Sequence, residues 1–190
     1  VSTVSVTPAN LFRMIENEQP TLFIDEAEDL EKRGRSNNPT IQALNSGYKK
    51  DGKVHRVVEN VPTQFSTYCP KVIAGINSLS PALADRCITI EMQKASSSNK
   101  VEYLTNDDQN KLESLKPGIV TTLEKKMPEL RKIIENPASL KLNPEIQNRE
   151  LEKWFPLLAI AKVFSTKKNN YFDQIQKFAV DSIISSIQED

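Results

Sequence analysis

The sequence is poor in the residues on which several classes of site depend. Its 190 residues include one histidine, His55, and two cysteines, Cys69 and Cys87. These three residues do not have the spacing of a metal site. We predict that both cysteines are buried free thiols in a reducing compartment.

Net charge and long apolar runs are also missing. Lysine plus arginine and aspartate plus glutamate balance at 25 each, so no global field draws the chain onto nucleic acid or a membrane. The sequence has no run of about 18 apolar residues and no signal-peptide pattern at its N-terminus. We therefore predict a cytoplasmic protein without a membrane partner, and expect any contact with nucleic acid to use a local basic patch.

The composition that remains is that of a globular protein. Hydrophobic residues make up 38% of the chain and charged residues 26%. The length suffices for one domain, or for a domain with a small helical appendage. The chain begins at Val1, inside a predicted strand, and we therefore expect it to be a fragment of a longer protein.

The most informative segment is residues 21–28, with the sequence TLFIDEAE. Its apolar run predicts a strand buried on both faces, and the run leads directly into Asp25 and Glu26. Open α/β sheets bind their ligands at the C-terminal ends of their strands, where these carboxylates would lie. The pattern is typical of a Walker B strand, whose Asp holds Mg²⁺ and whose Glu orients or deprotonates the attacking water. The alternative is an ordinary strand before a helix with an acidic first turn.

The flanking segments predict further strands of the same sheet and the helix that connects two of them. Residues 1–6 alternate as a strand does, and Thr7-Pro8 begins a helix that ends near Glu18, which gives a βαβ unit with parallel strands. Residues 71–77 predict a second buried strand that ends in Asn77. That amide would lie near the carboxylates and hold water or a phosphate, or it would serve as a helix cap.

A further strand is predicted downstream. A short helix over residues 80–84 precedes Asp85 and Arg86, and residues 87–92 then read as a third β run. This arrangement places Arg86 at the lip of the sheet.

Two basic segments are candidates for phosphate contacts. Asp51-Gly52 predicts a tight turn, and the hairpin around it carries Lys49, Lys50, Lys53 and Arg56. This basic hairpin fits a nucleic-acid backbone, and it equally fits an exposed edge protected from aggregation by lysines. The loop at residues 29–39 has three basic residues in four positions, and is either a solvated loop or a second phosphate-contacting surface.

The second half of the chain is predicted to be helical. A polar linker at residues 95–100 separates a domain at 1–94 from one at 101–190. Helices are expected on both sides of Pro117, with Pro128 and Pro156 as further kinks or starts, then from about residue 144 and over residues 169–188. A stripe of apolar residues at helical spacing runs through the first part, formed by Leu112, Leu115, Ile119, Leu123, Met127, Leu130 and Ile134.

Taken in order, these blocks resemble a P-loop ATPase-like domain family. The family occurs in replication and helicase-type proteins of phages, plasmids and integrated elements, often C-terminal to a primase-like region. The likeness covers most of the chain and is densest over residues 4–92 and 149–161. The resemblance implies an α/β fold: a partial P-loop (AAA-like) parallel sheet with flanking helices, followed by an all-helical, lid-like subdomain.

The resemblance also implies roles for single residues. Asp25 and Glu26 match the Walker B carboxylates, and Asn77 falls at the first polar sensor, where the family often has a smaller residue. Arg86 falls at an arginine finger, which stabilises charge on the phosphoryl group bound by a neighbouring subunit. Arg149 is a candidate lid arginine for the γ-phosphate. Structural ion pairs are the alternative for both arginines.

One part of the family pattern is missing. A P-loop ATPase needs a G-x-x-x-x-G-K-[ST] loop to hold the phosphates, and the only Gly-Lys pair here, Gly52-Lys53, is followed by Val54. In the family this Walker A loop lies upstream of residues 1–6, and its strand lies between the sensor strand and the arginine-side strand. We therefore expect this chain alone to bind no ATP or Mg²⁺ tightly, to hydrolyse no ATP, and to expose apolar edges of its sheet.

The expected function follows from the resemblance. The chain would be the C-terminal part of a replication-associated ATPase, a DNA helicase or translocase that acts as a homo-oligomer with its upstream Walker A part, ATP, Mg²⁺ and DNA. The alternative is a non-catalytic DNA- or protein-binding assembly module. A metal-dependent nuclease that uses Asp25 and Glu26 ranks last, because two-metal sites need more carboxylates.

Overall fold

The structure, a computed structural model, describes residues 2–3, 8–27, 38–94 and 104–189. It is a mixed α/β protein with a small parallel sheet and a helical C-terminal region. The chain divides into two compact units, Val1–Thr89 and Ile90–Asp190. The predicted basic loop at residues 29–39, apart from Asn38 and Pro39, and the predicted linker at 95–100 lie outside the described residues. None of the described helices is both long and apolar enough to cross a membrane.

The first unit contains all the described strands. They are β1 (Ser2–Thr3), β2 (Leu22–Ile24), β3 (Lys53–Val58), β4 (Val61–Ser66) and β5 (Lys71–Ile73). Its helices are α1 (Pro8–Glu18), α2 (Pro39–Ser46) and α3 (Pro81–Ala84). The second unit contains α4 (Asn106–Glu135), a 3₁₀ helix (Pro137–Leu140), α5 (Asn148–Phe164) and α6 (Tyr171–Glu189).

The parallel sheet has the order β1-β2-β5, with β2 in the centre. Phe23 lies between Ser2 of β1 and Val72 of β5. Helix α1 connects β1 to β2, so the predicted βαβ unit is confirmed. The apolar positions of α1 recur at helical spacing, and Leu11, Phe12 and Ile15 are at most 4% exposed. They form one core with the completely buried Leu22.

Two predictions about the sheet are wrong. Strand β2 is not buried on both faces, because Leu22 points into the core whereas Phe23, on the opposite face, is 47% exposed. Residues 87–92 form no strand, so Arg86 does not lie beside a third strand. A β run is stable only when its backbone groups pair with a neighbouring strand, and within the described residues this segment has none.

The hairpin is present, but its turn is not where the sequence predicts it. Strands β3 and β4 pair antiparallel, and Val58 opposes Val61, so the turn residues are Glu59 and Asn60. Both have positive φ, 49° and 63°, as a two-residue type I′ turn requires. Asp51 and Gly52 instead lie in the connection between α2 and β3. The dipeptide indicates a turn correctly but does not say which elements the turn joins.

A half-buried lysine joins three segments of the first unit. The Nζ atom of Lys71 donates to the backbone oxygens of Gly47 at 2.9 Å, Thr67 at 2.8 Å and Cys69 at 3.0 Å. Gly47 ends α2, and its N–H donates to Ala43 O at 2.9 Å. The three acceptors satisfy the ammonium group, so a charge-bearing side chain is tolerated inside the fold. We call Gly47, Thr67, Cys69 and Lys71 the lysine joint.

The second unit contains one long helix and a helical pair. Helix α4 runs continuously through Pro117 and Pro128, so the predicted break at Pro117 is wrong. Each proline removes one backbone hydrogen bond, but both are exposed, and water can satisfy the carbonyls left over. Helix α5 likewise continues through Pro156. Its Trp154, 2% exposed, packs edge-to-face on Phe178 of α6 at 5.8 Å between ring centroids.

The lysine joint makes a side chain at position 47 costly. A Cβ atom at Gly47 would lie 2.5 Å from Lys71 Nζ and 2.7 Å from Ala43 O, closer than folded proteins allow. We expect Gly47→Ala to lower the free energy of unfolding by about 2 kcal/mol through overpacking. Urea denaturation followed by circular dichroism measures this change.

The matched control is Gly118→Ala in α4. No atom lies within 4 Å of a Cβ at Gly118, so the same substitution should stabilise the helix by up to about 1 kcal/mol. Equal effects of the two substitutions would contradict the crowding described at Gly47.

Candidate functional site

The two adjacent carboxylates lie at the C-terminal end of the central strand. Asp25 and Glu26 follow β2 directly, and both are exposed. The backbone ties this end of β2 to the chain that leaves β5: Ala74 N donates to Ile24 O at 2.8 Å, and Ala27 N donates to Ala74 O at 3.0 Å. The position of the carboxylates is therefore fixed on both sides, by hydrogen bonds before and after them.

Glu26 has an uncommon backbone conformation. Its φ is +54°, in the left-handed region that residues with a Cβ rarely adopt. Its N–H donates to Asp25 Oδ1 at 2.9 Å. This bond orients the Asp25 carboxylate and uses one of its two oxygens. Backbone strain of this kind clusters at functional sites, where surrounding structure holds it in place.

Asn77 lies beyond the neighbouring strand, on the same side of the sheet. It comes three residues after Ala74, in a bend that follows β5, and its side chain is exposed. Parallel strands end at one edge, so β2 and β5 bring residues 25–26 and Ala74 to that edge together. Asn77 follows three residues later in the chain.

Arg86 is held by residues close to it. It follows α3, its Nη1 donates to the carbonyl oxygen of Ala82, and its guanidinium lies over the ring of Tyr48, 5.3 Å from the centroid. Its Nε is buried and has no hydrogen-bond partner among the described residues. The pairing with Tyr48 was not predicted from the sequence, since nothing local to either residue indicates it.

Arg149 belongs to the second unit. It lies in the first turn of α5 and is exposed, next to Asn148, whose φ is +53°. Cations are less favourable near a helix N-terminus than near a C-terminus, so its position is not explained by the helix dipole.

The basic hairpin divides into two kinds of cation. Lys49, Lys50 and Lys53 are exposed. Arg56 is half-buried: its Nη2 donates to Gln42 Oε1 at 2.7 Å, and its guanidinium lies 5.0 Å from the centre of the Phe12 ring. Arg56 shares the inward face of β3 with the buried Val54, as the two-residue period of a strand requires. Its environment indicates a packing role, and Gln42 and Phe12 are the contacts that sequence reasoning missed.

The described cysteines and carboxylates show which metal sites the chain could form. Both Cys69 and Cys87 are free thiols, as predicted, although Cys87 is only half-buried. Among the described residues, no group of three or more His, Cys, Asp or Glu side chains is arranged to hold a metal. Asp25 with Glu26 is therefore a pair, which suits an ion that takes its other ligands from water and a bound phosphate.

Comparison with known proteins returned no match. No family model, no curated protein and no solved structure is similar to this chain.

The backbone at Glu26 gives a test that does not depend on activity. A left-handed residue with a Cβ costs about 1–2 kcal/mol. We therefore expect Glu26→Gly to leave the free energy of unfolding unchanged or to raise it, because glycine removes that cost but adds unfolded-state entropy. Arg13→Gly, on the exposed side of α1, should lower it by about 1 kcal/mol. A similar loss at both positions would show that Glu26 is not in the left-handed region.

Proposed function

We propose that residues 1–94 are part of a P-loop ATPase core, in the C-terminal part of a replication-associated DNA helicase or translocase that acts as an oligomer. One observation carries the proposal: adjacent Asp25 and Glu26 follow the central strand of a parallel sheet, at its C-terminal end. The position of ligands outside the carboxyl ends of parallel strands is general for open α/β sheets.

The chemistry of each residue fits its proposed role. Asp25 has one oxygen oriented by the N–H of Glu26, which leaves the other for a water molecule on a nucleotide-bound Mg²⁺. Glu26 is exposed and would orient or deprotonate the attacking water. Asn77, at the same edge, would hold that water or the terminal phosphate. When bound, ATP with Mg²⁺ supplies the phosphoryl group and the charge that these residues act upon.

The free edge of the sheet supports the same reading. Within the described residues β5 pairs only with β2, and Val72 of β5 is 49% exposed. The family resemblance puts the strand that precedes the Walker A loop between the sensor strand and the arginine-side strand. Insertion of a strand beside β5 would satisfy its unpaired backbone groups. It would also give residues 87–92 a partner, which explains why they are unpaired here.

Arg86 and Arg149 are the proposed cationic partners of the phosphates. Arg86 is proposed as the arginine finger on the basis of the family pattern, and its guanidinium would have to leave the Tyr48 ring to reach a phosphate on a neighbouring subunit. Arg149 is proposed as the lid arginine, on the basis of its exposure and the family pattern alone.

Hydrolysis of ATP tests the central claim. We would use the protein extended upstream through a Walker A loop, with and without single-stranded DNA. Glu26→Gln should lower kcat by about a hundredfold or more, because it removes the group that activates water, and should leave nucleotide affinity within about twofold. Glu18→Gln, an exposed position at the end of α1, is the matched control.

The outcomes separate the two proposed functions. Turnover that is lost in Glu26→Gln and retained in Glu18→Gln supports the ATPase. A folded, extended protein without turnover, or with turnover that survives Glu26→Gln, contradicts it and favours the assembly module.

The exposed lysines of the connection between α2 and β3, Lys49 and Lys50, are with Lys53 at the start of β3 the proposed DNA contact. Each phosphate neutralised by a lysine contributes roughly 0.7 to 0.9 to the slope of log affinity against log salt concentration. We expect the triple substitution of Lys49, Lys50 and Lys53 by glutamine to lower DNA affinity and to reduce this slope by about 2 to 3. Fluorescence anisotropy over a salt series measures both quantities.

The control variant removes the same number of positive charges, but from the second unit. Replacing Lys125, Lys167 and Lys168, which are exposed in the second unit, by glutamine should alter the slope little. Arg56→Gln should lower the free energy of unfolding and leave the salt slope nearly unchanged, because that side chain contacts Gln42 and Phe12. An unchanged slope in the triple lysine variant would exclude these lysines as the contact.

A further inference from the structure

We propose that α4 is the docking surface for a second copy of this chain, which lies antiparallel across it about a twofold axis near Leu123. The observation behind this is an exposed apolar stripe on a long helix. No described residue of α4 is buried. Seven large apolar side chains are 37–56% exposed, namely Leu112, Leu115, Ile119, Val120, Leu123, Met127 and Ile134. Contiguous apolar surface of this length marks an interaction site.

The spacing of the stripe identifies the partner as a second copy. Counted back from Leu123, the stripe residues come at 4, 8 and 11 positions: Ile119, Leu115 and Leu112. Counted forward, Met127 and Ile134 come at 4 and 11 positions, and the half-buried Leu130 comes at 7. The pattern is therefore almost the same in both directions. A twofold axis requires this property, because each surface must fit itself in reverse.

The charges beside the stripe agree with an antiparallel pair. Glu113 and Arg131 are 18 residues apart, which is five helical turns, so they flank the stripe on the same side. They lie 10 residues before and 8 residues after Leu123. In an antiparallel pair, each Glu113 faces the Arg131 of the other copy, and the contact occurs twice. A parallel pair lacks this contact, because the same flanks then lie on opposite sides of the interface.

The rest of α4 is compatible with this contact. By helical spacing Pro117 and Pro128 lie on the side away from the stripe, so no proline interrupts the helix face that docks, whereas Lys116 lies on that face, seven residues before Leu123. Glu113 also pairs with Lys116 of its own helix at 2.5 Å, which leaves the outer side of the carboxylate for Arg131 of the other copy. Seven half-exposed side chains on each helix offer on the order of 1,000 Å² to a symmetric pair, the scale of a specific interface.

The first test is the mass of the full 190-residue chain in solution, by sedimentation velocity over a concentration series without nucleotide. We expect a dimer, twice the 21.4 kDa of one chain. Leu123→Lys should raise the dissociation constant at least about tenfold, because two ammonium groups meet at the axis. Thr121→Lys adds the same charge on the opposite face of the helix and should leave the constant unchanged. A monomer at all concentrations, or a dimer equally stable in Leu123→Lys, would overturn the proposal.

The second test concerns orientation and keeps the stripe intact. Glu113→Arg and Arg131→Glu should each weaken the dimer, since each places like charges together twice. The double variant, and an equimolar mixture of the two single variants, should regain the affinity of the unmodified chain. Failure of both to recover would overturn the antiparallel arrangement. Neither test involves nucleotide or DNA, so its result is independent of the proposed ATPase function.

Discussion

The first unit depends on the three hydrogen bonds of Lys71. Its ammonium group connects the end of α2 at Gly47, the end of the hairpin at Thr67 and the start of β5. Burial lowers the pKa of this lysine below its usual value, and the nearby Cys69 opposes that shift. The cost of burial is offset because the ammonium group donates to three backbone carbonyls. Ser46 Oγ and Thr67 Oγ1, 2.9 Å apart, support the same junction.

The lysine joint also determines where the candidate site forms. It fixes Lys71 opposite Leu22, and the parallel register then runs without a break to Ile24 and Ile73. One step further, Ala74 binds the backbone on both sides of the carboxylate pair. A slip of one residue would exchange the two faces of the strand and expose Leu22 in place of Phe23. The position of Asp25 and Glu26 is thus a consequence of packing at the other end of the strand.

The sequence predicted those features that depend on neighbouring residues. Thr7-Pro8 predicted the start of α1, whose Leu11, Phe12 and Ile15 then pack into the core. The acidic end of β2 followed from the same local reading. Features that depend on distant partners were missed. Residues 87–92 have a strand pattern, but no strand of the described part of the chain lies beside them. The sequence indicates a surface cation at Arg56 because its contacts Gln42 and Phe12 lie far away in sequence.

The two prolines of helix α4 do not end the helix, but they change how it bends. At 1.5 Å per residue, its 30 residues form a rod about 45 Å long. Pro117 and Pro128 remove the hydrogen bonds that the carbonyls of Glu113 and Glu124 would otherwise accept, and so create two points of low bending stiffness. The rod is therefore three shorter segments in series. A load applied across the helix at Asn106 would be taken up as bending at the two prolines before it reached Glu135. A load applied along the helix axis would be transmitted.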